Sequence, residues 1–397
     1  MRVVWKSLAL SLASLLAACA TVPIRDAVPE QLVVEASLPG MQDVRIWGDA
    51  KIPNLDRMLA AEMPALKRRM QERSKIGGGV SNMIAISGGA DDGAFSAGLL
   101  VGWGESGTRP EFDLVTGISA GALVAPFVFL GPEYDGALSE IFTQYGASDI
   151  YTADVMAGLF GGDALADSAP LAALIAKYVD RNLLNRVAEE RGKGRLLFIG
   201  TTNIDAQRPV YWDMGRLAQS KHPSAVETFR KVLLASASVP GVFPPVRFPV
   251  TANGRSFEEL HVDGGPTREV FFAPSDFSFK SVDKAFGRAI PRRLYIIRNG
   301  KLGPEFMVTK ETTFGIAQRS LATLTKNQGI GDLVRMYARA KDDKIDYNLV
   351  AIPDEFKAAR PKPFDQGYMR SLYGAGLELG RRPITWMKAP PGVLAAQ

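Results

Sequence analysis

The sequence predicts an α/β fold, a three-layer α/β/α sandwich with a mostly parallel central sheet. Two observations carry that expectation. From Met83 onward, short apolar runs alternate with segments of helical periodicity. Strands that alternate with helices make a parallel sheet covered on both faces. Two glycine-rich turns, at residues 87–93 and 117–121, each join an apolar run to a helical one. The chain has 397 residues, 46% hydrophobic and 22% charged. That is an ordinary globular composition, long enough for one large domain or two average ones.

Residues 1–18, MRVVWKSLALSLASLLAA, read as a signal peptide. Arg2 and Lys6 form a positive start, and Leu8 to Ala18 is an apolar run too short to span a bilayer. Leu16-Ala17-Ala18-Cys19 resembles the lipobox of bacterial lipoproteins, which implies acylation of Cys19, the only cysteine of the chain. Ala20, where lipoproteins kept at the inner membrane often carry Asp, implies the outer membrane. The expected location is the bacterial cell envelope, lipid-anchored and facing the periplasm. Residues 19–53, with Pro23, Pro29, Pro39 and Pro53, read as a tether with one short strand at Leu32–Val34.

Residues 54–81 read as an N-terminal helix and linker. Leu55, Met58, Leu59, Met63, Leu66 and Met70 fall at helical spacing, with Pro64 as a kink point. Residues 82–300 read as the main α/β domain. Strands are expected at Met83–Ile86, Phe112–Thr116, Leu196–Thr201, Pro209–Trp212, Val246–Pro249, Leu260–Val262 and Leu294–Ile297. Helices are expected at Phe95–Trp103, Ala120–Leu130, 134–145, 169–191 and Ala225–Ala237. Residues 301–397 read as a mostly helical extension packed on that domain, with helices at 313–340 and 368–380.

Three motifs carry chemistry. Gly117-Ile118-Ser119-Ala120-Gly121 lies between a strand and a helix, the context of a nucleophile elbow. Ser87-Gly88-Gly89-Ala90-Asp91-Asp92-Gly93 leaves backbone N–H groups free at a helix start, where an anion is favoured. It lacks the Lys-Ser/Thr of a nucleotide loop. Asp92 is also placed to cap the helix that follows. His261-Val262-Asp263-Gly264-Gly265 presents a carboxylate at a strand end, suited either to a base or to a capped Gly-Gly turn.

In this order the three motifs resemble the patatin-like phospholipases over roughly residues 82–300, and so does the run from Ala235 to Pro245, ASASVPGVFPP. The resemblance implies a Ser–Asp dyad without histidine, with Ser119 as nucleophile and Asp263 as base. It implies an oxyanion loop of Gly88, Gly89 and Ala90, and no metal or cofactor. Two positions depart from the family. Ala90 stands where a third Gly is usual, and Asp92 where Arg or Lys is frequent. Both bear on rate and substrate range rather than on the fold.

Histidine content points the same way. Ser–His–Asp esterases of the usual α/β-hydrolase kind place their His last, and neither His222 nor His261 follows Asp263. His261 is expected on the same strand face as Asp263, and His222 in a surface turn. Phe127-Val128-Phe129, Leu159-Phe160, Val239–Phe243 and Phe271-Phe272 are candidate acyl-chain linings or core. Lys+Arg 47 against Asp+Glu 42, without a block of like charge, argues against a nucleic-acid partner.

The leading reading is a membrane-anchored acyl-ester hydrolase of the phospholipase A or lysophospholipase type, with a phospholipid or other acyl ester as substrate. The alternatives are a generic carboxylesterase or thioesterase, and a catalytically inactive lipid-binding envelope lipoprotein.

Overall fold

The computed structural model describes residues 25–77, 79–153 and 164–393. The expected signal peptide, Cys19 and Leu159-Phe160 lie outside the described residues. The chain orders its elements as β1 (Arg45–Trp47), α1 (Leu55–Gly77), β2 (Ser81–Ile86), α2 (Gly93–Glu105), β3 (Leu114–Ile118), α3 (Ala120–Leu130), α4 (Asp135–Gln144) and α5 (Ala147–Ile150). There follow β4 (Thr152–Ala153), β5 (Ala166–Asp167), α6 (Ala169–Tyr178), α7 (Arg181–Gly192), β6 (Leu196–Asn203), β7 (Arg208–Asp213), α8 (Met214–Gln219) and α9 (Ala225–Ser236). The last elements are β8 (Val246–Ala252), β9 (Arg255–Asp263), α10 (Phe279–Phe286), β10 (Arg292–Arg298), α11 (Thr313–Asp342), β11 (Asp346–Ala351) and α12 (Gln366–Gly380).

The central sheet runs β1-β7-β6-β3-β2-β10-β11, with β9 also paired to β6 and β8 to β9. The five strands β6, β3, β2, β10 and β11 are mutually parallel; β1, β7, β8 and β9 add antiparallel pairs on one side. The parallel strands are apolar on both faces because helices cover both. Ile84, Ile86, Val115 and Ile297 pack with α2, α3 and α9 on one face. Met83, Ala85, Leu114, Leu294 and Ile296 pack with α10 and the second half of α11 on the other. These are the three layers expected.

Several expectations need correction. Residues 25–53 are not a free tether. Ala36, Leu38, Met41 and Val44 are buried, and β1 pairs antiparallel with β7. Leu32–Val34 is not a strand; a short 3-10 turn spans Glu30–Leu32. The single helix expected over 169–191 is two, because the Asp180 carboxylate accepts from the Leu183 N–H at 2.8 Å and starts a new helix. The boundary expected at residue 300 falls between two neighbouring strands, since β11 pairs with β10. α12 packs along α2.

The N-terminal end of the parallel strands is held by charge. Asp113 Oδ1 accepts from Nε of both Arg69 and Arg73, each at 2.9 Å, and its Oδ2 from the Asn82 N–H at 3.0 Å. These bonds fix α1 to the sheet at the end opposite Ser119.

Candidate active site

Ser119 follows the last residue of β3 and precedes α3. Its φ of 54° and ψ of −123° put it in a backbone region that L-residues seldom occupy. The strain raises its side chain above the sheet edge. Gly121 makes the turn possible: a Cβ there would lie 2.7 Å from the Ser87 carbonyl oxygen. The start of α3 therefore packs directly on the loop that begins at Ser87.

That loop is braced by the residue that follows β10. The Asn299 N–H donates to Ser87 Oγ at 2.9 Å and its Nδ2 to the Ser87 carbonyl at 2.9 Å. Asn299 Oδ1 accepts from the Ser96 N–H at 3.1 Å. Ala90 holds a φ of 51°, the conformation a third glycine would take without strain, at a cost of about 1 kcal/mol. The neighbouring side chain holds it there. Asp91 is fully buried, pairs with Arg360 and accepts from the Phe364 N–H at 2.9 Å.

The three expected oxyanion donors are not equivalent. The Gly88 N–H already donates to the Glu269 carbonyl at 3.1 Å, whereas those of Gly89 and Ala90 have no acceptor among the described residues. Gly88 serves instead as a close-packing position, where a Cβ would lie 2.7 Å from Glu269 Oε1. Asp92 is not a helix cap: its side chain makes no cap bond and accepts from the Tyr368 hydroxyl at 2.6 Å. Burial pushes its carboxyl up to about 6, against the pull of Arg360 and Tyr368.

Asp263 ends β9, and its own N–H donates to the Ser238 carbonyl at 2.9 Å. Oδ1 accepts from the Gly265 N–H at 2.7 Å; Oδ2 is buried with no hydrogen-bond partner among the described residues. Burial pushes the carboxyl up to about 6, and the nearby Ser119 hydroxyl and the Gly265 N–H oppose that shift. A base of about 6 is ionised at neutral pH and stronger than an aspartate in water.

Three contributors escaped the sequence reading. Ser236 Oγ accepts from the Ser119 N–H at 2.9 Å. Ser236 and Ser238 thus hold Ser119 and Asp263 from one segment, which is what the ASASVPG run does. Glu269 is buried beside the loop, and a Cβ on Gly265 would lie 3.1 Å from both Glu269 Oε2 and Asp263 Oδ1. Burial, reinforced by Asp263 and Asp332 and opposed by Arg298, pushes Glu269 up to about 8. Arg360, the third, comes from beyond β11 and places a cation beside Asp91 and Asp92.

The histidines are occupied elsewhere. His261 is fully buried, with Nδ1 on Thr201 Oγ1 at 2.9 Å and Nε2 on Glu259 Oε2 at 3.0 Å. Neither ring nitrogen is left for Ser119 or Asp263. His222 Nδ1 meets Ser224 Oγ at 2.8 Å. Among the candidate acyl linings, Phe127, Val128 and Phe129 are core. Phe271 and Phe272 line an apolar cavity of about 200 Å³ under α1, whose lining includes neither Ser119 nor Asp263.

Residues 84–274 match the family model described as Patatin-like phospholipase. No curated protein matches the sequence. Among solved structures the chain is similar to VipD from Legionella pneumophila, at 11% identity and a TM-score of 0.34, over 76% of this chain and 66% of that one. It is also similar to human GIVD cytosolic phospholipase A2, at 7% identity and a TM-score of 0.32, over 79% of this chain and 52% of that one. The chain spans less than two thirds of the length of either structure.

Proposed function

From the premise that this chain belongs, through residues 84–274, to the patatin-like phospholipases, we propose that it cleaves lipid acyl esters through a Ser119–Asp263 dyad. The observation that carries the reading is the pair itself. A strained nucleophile-elbow serine stands beside a buried carboxylate whose Oδ2 has no other partner.

In the proposed reaction Asp263 Oδ2 takes the Ser119 hydroxyl proton as Oγ bonds to the acyl carbon. The carbonyl oxygen becomes an oxyanion held by the free N–H groups of Gly89 and Ala90. The C–O bond to the leaving alcohol breaks, and Asp263 returns the proton to it. Asp263 then deprotonates a water that attacks the acyl-enzyme, releasing the fatty acid and restoring Ser119. The finer assignment is the phospholipase A or lysophospholipase type, on an envelope lipoprotein anchored through Cys19 and facing the periplasm from the outer membrane.

The test is a panel of phospholipids, lysophospholipids and soluble short-chain esters, assayed with wild type and Ser119→Ala, together with labelling by a serine-directed phosphonate. Release of fatty acid by wild type alone, with an adduct on Ser119, is expected. A folded protein without adduct or turnover overturns the dyad. The variants His222→Ala and His261→Gln retain turnover if the dyad is right. For the anchor, Cys19→Ser loses fatty-acid label; undiminished label overturns the lipoprotein assignment.

A further inference from the structure

We infer that the first three turns of α11, with the loop before them, form an arm that lies on an anionic lipid surface. Phe306, Met307, Val308, Ile316, Leu321 and Leu324 are exposed, Phe306 at 93%, Val308 at 81% and Leu324 at 67%. No other stretch of the described residues exposes large apolar side chains so densely. Ile316, Leu321 and Leu324 fall within one arc of about 140° on the helix. Past Gly329 the same helix turns into core, with Leu333, Met336 and Ala340 buried. The arm is thus the projecting end of an element whose other end is fixed.

The arm is built rather than loose. Lys326 Nζ pairs with Glu305 Oε2 at 2.8 Å and also donates to the Gly303 carbonyl, and Arg319 donates to the Glu305 carbonyl. These bonds tie the Phe306–Val308 loop to the helix.

Charge selects the occupant. From Lys301 to Gly331 the arm and its loop have Lys301, Lys310, Arg319 and Lys326 against Glu305 and Glu311, and no carboxylate lies between Thr312 and Gly331. Lys301 Nζ donates to the Phe356 carbonyl at 2.6 Å and so brings a second loop alongside, on which Lys357 and Lys362 are exposed with Asp354 and Glu355. An apolar helix face without carboxylates of its own, on an arm and neighbouring loop where Lys and Arg outnumber Asp and Glu, fits the interface of an anionic bilayer. No helix of the described residues is long and apolar enough to cross a membrane, so the arm rests in the interface.

The arm meets the catalytic loop. Gln328 Nε2 donates to the Thr267 carbonyl at 2.8 Å, and a Cβ on Gly265 would lie 3.9 Å from Thr325. A lipid held there is delivered beside Asp263. The delivery rests on the hydrolase reading; the docking does not.

The test uses the full chain carrying Cys19→Ser and Leu321→Cys, labelled at that unique thiol with an environment-sensitive nitrobenzoxadiazole dye. Vesicles of phosphatidylglycerol should shift the emission to the blue and raise it several-fold. Doxyl groups on the acyl chains should quench it, and 1 M salt should reverse it. Leu324→Ser or Phe306→Ser should each lower vesicle affinity by about tenfold, the cost of one unburied large apolar side chain. A dye that is silent while the protein floats with the vesicles overturns the proposal. So does an equal response to neutral phosphatidylcholine, or a shift without vesicles that grows with protein concentration and marks a second copy. Turnover of a soluble ester by the same protein reports the dyad separately.

Discussion

Ser236 holds Ser119 by its main chain. Its Oγ accepts the Ser119 N–H at 2.9 Å and donates its own proton to the Gly200 carbonyl at 2.7 Å. One hydroxyl therefore links two buried backbone groups, one at the strained turn after β3 and one on the neighbouring β6. Ser236→Ala leaves both unpaired, at about 1–3 kcal/mol of stability. Turnover should fall with little change in KM, and Ser236→Thr should restore most of it. Urea unfolding and kinetics on a soluble ester check this; an unchanged kcat in Ser236→Ala would show that Ser119 needs no such support.

Asp263 sets opposite signs for activity and stability. Its carboxyl lies at about 6 in the fold against an ordinary value of 3.8. Between those values the unfolded chain loses its proton first, so stability falls as pH rises from about 4 to 6 and stays lower above. Activity rises over the upper part of that range as the base ionises. Asp263→Asn should abolish turnover yet raise stability at pH 7 by roughly 2 kcal/mol, since it removes the buried charge. Combining it with Ser119→Ala should cost no further activity, because each change disables the same proton transfer. A destabilised Asp263→Asn at pH 7 would mean that its carboxylate is better solvated than its burial indicates.

Glu269 should govern the alkaline limb. With its carboxyl at about 8, it is neutral at pH 7. Above that it places a second negative charge next to Asp263 and the oxyanion loop, and opposes the oxyanion. Its raised value also makes stability fall as pH rises from about 4.5 to 8. Glu269→Gln should retain activity at pH 7, remove the decline near pH 8 and flatten the stability profile. A pH–rate profile paired with melting curves separates this from a merely structural role.

Asp113→Ala should test the far end of the sheet. It strips Arg69 and Arg73 of a shared acceptor and leaves the Asn82 N–H unpaired. The expected loss is about 3 kcal/mol, read from the urea midpoint, with kcat on a soluble ester near wild type in whatever fraction stays folded. A lowered kcat with normal stability would show that strain travels from Asp113 along β3 to Ser119.

What the sequence made legible was local. Ser119 and Asp263 sit in motifs whose glycines are dictated by the turns themselves. The parallel strands announce themselves as short apolar runs. Ser236, Asn299, Glu269 and Arg360 act at a distance in the chain. Arg360 meets Asp91 across 269 intervening steps, and no periodicity encodes such a meeting. The Asp92 carboxylate looked like a cap because caps are local; its real partner, Tyr368, is a helix away in space and far off in sequence. Residues 36–44 read as a tether because their buried side chains follow neither a 3.6 nor a 2.0 period. β11, with Tyr347, Leu349 and Val350 buried, falls inside the stretch that reads as a helical extension.

The clamp on the oxyanion loop has a temporal meaning. Arg360, Phe364 and Tyr368 grip Asp91 and Asp92, and each emerges from the ribosome long after Ser119 and Asp263. During synthesis Ser119 and Asp263 exist before the turn at Ala90 is secured. Until residue 368 has joined the fold, the turn at Ala90 lacks the contacts that hold it beside Ser119.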